Sequence, residues 1–199
     1  MSTRWIEPVR SSGTLKVHAK STMVGDWARV LQEAMTELNA LSSSGNFGVS
    51  LVSERDEAQA NVVASTVDGT VSTDFDGTTY QTNLAGNAPQ GHTRLYQRGG
   101  RVEKAHVFLP VTPGAFPRIR GYGRPVRLVI AFHELIHCCG LHNSDHGHLA
   151  FVARPSATRG STAAEDRLTV MHNGEYVHMP PLVITDATGR LIRDNWADP

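Results

Sequence analysis

The sequence predicts an α+β fold in two lobes, and three observations carry that expectation. Residues 126 to 132 are largely apolar, with Pro125 and Gly140 where a helix would open and close, so a buried helix is expected at about 125–139. Between Asp26 and Leu41, Trp27, Val30, Leu31, Ala34, Met35, Leu38 and Leu41 recur at three- and four-residue spacing, the signature of an amphipathic helix. Strand-like runs alternate with these two helices up to residue 140, after which the chain turns polar and loop-rich. One domain follows, with an upper lobe at 1–140 and a lower lobe at 141–199.

Each element has its own justification. Thr14 to Ala19 alternates and reads as the first strand. Asp26 stands as the N-cap of the amphipathic helix, and the Ser-Ser-Ser-Gly run from Ser42 as its end. Phe47–Val52 and Asn61–Val67 read as strands, with Asp68-Gly69 and Asp76-Gly77 as turns. Residues 68–93, rich in Thr, Asp, Gly and Asn, predict a surface loop or short hairpins, without the spacing of a calcium-binding EF-hand. Gly99-Gly100 leads into a strong strand, Val102–Leu109, stopped by Pro110, and residues 110–125 form an irregular connection. Leu168–Met171 and Tyr176–Met179 suggest a hairpin turning at Asn173-Gly174, and Thr185 to Trp196 a short amphipathic helix docked on the lower lobe.

Composition narrows the function. Nineteen basic against 19 acidic residues leave no net charge, which disfavours a nucleic-acid partner. No run approaches a membrane span, and Met1 to Glu7 lacks the apolar core of a signal peptide, so a cytoplasmic chain is expected. The two cysteines, Cys138 and Cys139, are helix neighbours that cannot readily bridge each other, and they read as small apolar packing.

The chemistry concentrates in His133-Glu134-Leu135-Ile136-His137. Histidines at i and i+4 share a helix face about 6 Å apart and can reach one metal ion. Glu134, one residue after the first, sits where it can deprotonate a metal-bound water. The plain alternative is a core helix whose histidines are simply hydrogen-bonded. His18, His92 and His106 have no partner at ligand spacing and read as ordinary polar residues.

The run H-E-L-I-H-C-C-G-L resembles the metzincin metallopeptidases, whose pattern is H-E-x-x-H-x-x-G-x-x-H or Asp. The resemblance is specific in residues only around 133–146 and weaker near the C-terminus. It implies a five-stranded, mostly parallel sheet with two helices above a cleft, and below it a small lobe with a methionine turn and a C-terminal helix. It also implies one catalytic zinc ion and a peptide or protein substrate. Asn143 occupies the usual third-ligand position, and a neutral amide binds zinc poorly. His142, Asp145, His146 and His148 are the neighbours able to replace it. His146 is preferred and His142 is the first alternative, because the longer spacing is similar to small metzincin-like proteins of phages and prophages. A phage-associated location is the corresponding alternative to a cytoplasmic one. Met179, before Pro180-Pro181, looks like the turn methionine, with Met171 as competitor and ordinary core filling as the plain reading of both.

The function expected from this resemblance is a zinc-dependent endopeptidase with Glu134 as general base. Its substrate would lie extended along an exposed edge strand, expected at Val107, Phe108 and Leu109 unless that strand is internal. A non-catalytic binding or structural module stabilised by zinc is the alternative, and a hydrolase of non-peptide amides a second one. Nothing in the sequence indicates an oligomeric state.

Overall fold

A computed structural model of the chain describes residues 2–84, 91–111, 124–142, 145, 171, 172, 175, 176, 182, 184 and 186–197. In order these form α1 (Glu7–Ser12), β1 (Thr14–Ala19), α2 (Trp27–Gly45), β2 (Ser50–Ser53), a 3-10 turn (Glu57–Gln59), β3 (Val62–Val67), β4 (Thr70–Phe75) and β5 (Thr78–Asn83). They continue through β6 (His92–Arg98), β7 (Arg101–Pro110), α3 (Arg124–Cys138), β8 (Met171–His172), β9 (Glu175–Tyr176) and α4 (Asp186–Trp196). The fold is α+β, around a mixed five-stranded sheet in the order β2-β1-β3-β7-β6. Four of its strands run parallel and β6 runs antiparallel to β7.

Parallel strands need both faces covered, and this sheet obtains the cover from two sources. One face carries α2 and α3, whose Trp27, Leu31, Leu38, Leu128, Phe132 and Leu135 close on Val17, Val62, Ala64, Ala105, Val107 and Leu109. Burying one such side chain contributes about 1.5–3 kcal/mol, so this layer is the main source of cohesion. The helices are also joined at their ends. Asp26 caps nothing with its side chain; its carboxylate pairs with Arg127 of α3 and, at 3.4 Å, with Arg29. Burial opposes ionisation there, but Arg127 holds the Asp26 carboxyl below its ordinary range. On the opposite face the β4–β5 hairpin lays Phe75 and Tyr80 against Tyr96 at centroid separations of 5.0 and 5.2 Å. That hairpin turns at Asp76-Gly77, both at positive φ (50° and 74°), as a tight two-residue turn requires.

The expected edge strand is corrected. Val107, Phe108 and Leu109 do not form an edge: β7 lies between β3 and β6, with Phe108 opposite Ser65 on one side and His92 on the other. The Gly99-Gly100 turn folds residues 92–98 back onto β7, and β6 becomes the edge strand. Helix α2 ends on the Ser-Ser-Ser-Gly run, as expected: it carries through the serines to Gly45, with Asn46 in the left-handed region. It continues because the Ser42 hydroxyl donates to the Val49 carbonyl instead of competing with the helix. α4 is expected to dock on the lower lobe, most of which lies outside the described residues. Its described contacts lie on the upper one: Arg193 donates to Gly45 O at 2.8 Å, and Ile192 and Trp196 belong to the main core.

Of residues 141–199, β8 and β9 form an antiparallel hairpin pairing Met171 with Tyr176; its turn residues and Thr185 lie outside the described residues. Among the described residues no helix is long and apolar enough to cross a membrane.

Candidate functional site

Helix α3 buries most of its circumference, leaving His133, Glu134 and His137 along a cleft of about 370 Å³ beside β6. Glu134 is only 4% exposed and His137 7%. The two imidazoles converge: His133 Nε2 and His137 Nε2 are 2.9 Å apart, with ring centroids at 4.7 Å. His137 Nδ1 lies 2.8 Å from the Leu141 carbonyl, which can only accept, so Nδ1 carries the proton and Nε2 keeps its lone pair. Two imidazole nitrogens at about 2.0–2.1 Å from a tetrahedral zinc ion would lie roughly 3.3 Å apart. A small ring rotation converts the observed pair to that spacing, so the pair fits such an ion.

Glu134 is held from the other side of the cleft. The Thr93 hydroxyl of β6 lies 2.7 Å from Glu134 Oε2 and 3.0 Å from its carbonyl oxygen. Burial pushes the Glu134 carboxyl up to about 8, against the pull of the Thr93 hydrogen bond. Gly91, just before β6, makes the approach possible: a Cβ there would come within 2.6 Å of Glu134 Cγ. Gly91 and Thr93 carry no signal of their own in the sequence, because residues 68–93 read as a surface loop or short hairpins that do not continue into a strand. The usable signal is the strand-favouring pair Leu95-Tyr96 just before the Gly99-Gly100 turn, opposite a strong strand.

The turn after α3 is tied down by the N-terminal segment. Gly140 has φ 94°, and a Cβ on it would meet the Thr3 carbonyl oxygen at 2.2 Å. Thr3 N–H donates to Gly140 O at 2.8 Å, and Trp5 Nε1 donates to Cys138 O at 2.7 Å. α4 adds Trp196 Nε1 to Cys139 O at 3.1 Å. These bonds satisfy carbonyls that a helix end leaves open. His142 lines the cleft, but its Nε2 lies 2.7 Å from the Thr3 hydroxyl, and its N–H donates to Asp145 Oδ2 at 2.9 Å. Asn143, His146, His148 and Met179 lie outside the described residues; Met171 opens β8. Among the described residues, no group of three or more His, Cys, Asp or Glu gathers about one point.

Both cysteines are buried and unbridged, as expected, and burial pushes the Cys139 thiol up to about 12. His18 bonds the Glu54 carbonyl at 3.1 Å, far from the cleft. His92 stacks on Phe108 at 6.5 Å, at the start of the edge strand that borders the cleft. No family model matches the chain, and no curated protein matches it. The likeness to metzincins therefore rests on the motif residues themselves.

Proposed function

We propose that this chain is a zinc-dependent endopeptidase of metzincin type, holding one zinc ion through His133, His137 and a third ligand beyond Gly140. The observation that carries the reading is the convergence of the two Nε2 atoms beside a buried carboxylate in a cleft bordered by a sheet edge. His146 is the proposed third ligand. The hydrogen bond between His142 Nε2 and Thr3 supports that choice over His142.

A zinc ion in this position supplies a Lewis acid that makes water nucleophilic near neutral pH. The chain's own groups do the rest. Glu134 accepts a proton from the attacking water as its oxygen bonds to the peptide carbonyl carbon. It then delivers that proton to the leaving nitrogen as the C–N bond breaks, giving an acid and an amine. Thr93 fixes the carboxylate for both transfers, and the Leu141 carbonyl fixes the ring of His137. Strand β6 takes over the substrate-binding role first expected of Val107–Leu109: an extended peptide adds to its outer edge by main-chain pairing.

Elemental analysis of protein made in zinc-containing medium, with cleavage of a diverse peptide library, tests the reading. One zinc per chain and hydrolysis that zinc chelation abolishes are expected. Zinc retention with no cleavage would instead favour the non-catalytic module.

A further inference from the structure

We infer that Arg94 selects substrates bearing an acidic side chain at one fixed position relative to the cleaved bond; this rests on the hydrolase reading above. Side chains alternate along β6. Thr93 reaches Glu134 and Leu95 packs on the helix-side core, whereas Arg94 and Tyr96 project to the face covered by the β4–β5 hairpin. The guanidinium is fixed there by neutral groups. Nε and Nη2 lie 3.2 and 3.1 Å from Thr82 Oγ1, Nη2 lies 2.9 Å from Gln81 O, and the Tyr80 ring centroid is 5.4 Å away. These contacts orient the cation without cancelling its charge. Among the described residues no carboxylate is within ion-pair reach of Arg94, and its Nη1 has no hydrogen-bond acceptor. Arg98, at the end of β6 away from the cleft, is neutralised by Asp76 at 2.9 Å and Glu103 at 3.6 Å. Of the two β6 arginines, the one with no carboxylate partner among the described residues is Arg94, which lines the cleft.

A peptide added antiparallel to β6 places the residue opposite Arg94 on the Arg94 face and turns its neighbours toward Thr93 and Leu95. An Asp or Glu at that position meets the open Nη1 edge in a charge-assisted hydrogen bond. A Lys there meets a like charge. The preference is therefore acidic over neutral over basic, confined to one position.

The test uses zinc-loaded wild type, Arg94→Gln, Arg94→Lys and Arg94→Glu on peptides that differ only by Glu, Gln or Lys at each position in turn. Wild type is expected to favour Glu over Gln at one position by roughly 10- to 100-fold in kcat/KM, the range of a charged hydrogen bond. Arg94→Gln abolishes that ratio, Arg94→Lys keeps part of it, and Arg94→Glu reverses it toward Lys. Cleavage without an acidic preference, or a preference that survives Arg94→Gln, overturns the inference. Binding of the same peptides to the Glu134→Gln protein is read by calorimetry alongside. If wild type cleaves nothing, acidic-selective binding that Arg94→Gln removes upholds the role of Arg94 while the hydrolase reading fails. Absence of acidic selectivity in binding then overturns the inference as well.

Discussion

At the scale of single residues, the third ligand and the half-buried His106 give the sharpest expectations. His146→Ala should lose far more zinc than His142→Ala, measured by competition with a chelating dye, because His142 Nε2 is engaged by Thr3. If His142→Ala empties the site and His146→Ala does not, the assignment is reversed. His106 lies between Tyr96 and Phe108, with ring centroids 5.3 and 5.6 Å away. Burial, and then the nearby Lys104 and Lys20, push its pKa down to about 4. The unfolded chain takes up this proton first, near the ordinary value of about 6.5. His106 therefore contributes stability that is present above that value and lost as the pH falls through about 4. Urea midpoints measured from pH 7 to pH 4 should fall less steeply in His106→Gln than in wild type. Parallel curves would show that another group governs the acid arm.

At the scale of elements, the C-terminal end of α3 is where the site depends on distant chain. Gly140→Ala must place a side chain at φ 94° and against the Thr3 carbonyl oxygen. A loss of more than about 1 kcal/mol in stability is expected from denaturant titration, together with weaker zinc binding. Trp196→Ala removes a 4%-exposed indole and its bond to Cys139 O, and should cost about 3–5 kcal/mol. A change below about 1 kcal/mol would mean that α4 does not support the turn.

The same elements show what the sequence made legible. Helix α2 was readable because its apolar spacing is set by burial on one face, α3 because a mostly buried helix is largely apolar between Pro125 and Gly140, β1 because it alternates, and β3 and β7 because interior strands carry apolar runs. His133, Glu134 and His137 were readable because one helix supplies all three at fixed spacing. Strand β6 was not, since an edge strand with polar residues on both sides loses the alternating contrast. The expectation of an edge at Val107–Leu109 follows from that omission, because β6 is the strand that pairs with β7 there. Likewise Thr3 and Trp5 carry no local signal; they matter through pairing with residues far along the chain, Val102, Cys138, Gly140 and His142.

For the whole molecule, one hydrophobic core joins α2, α3, α4 and the sheet, and the site lies where that core meets an edge strand. Cohesion therefore rests on apolar burial, Phe132 and Leu135 beside the histidines included, while the proposed catalysis rests on three polar side chains at the cleft. The two are separable by mutation, and Glu134 separates them most directly. Glu134→Gln keeps the side-chain volume but cannot take a proton from water. Zinc content and peptide hydrolysis, measured together on wild type and Glu134→Gln, give the decisive comparison. One zinc per chain in both proteins, with the rate in the variant reduced by about 10²–10⁴-fold, is the predicted result. Equal hydrolysis by the two proteins, or zinc bound by both with no hydrolysis by either, would contradict the assignment of Glu134 as the general base of a zinc peptidase.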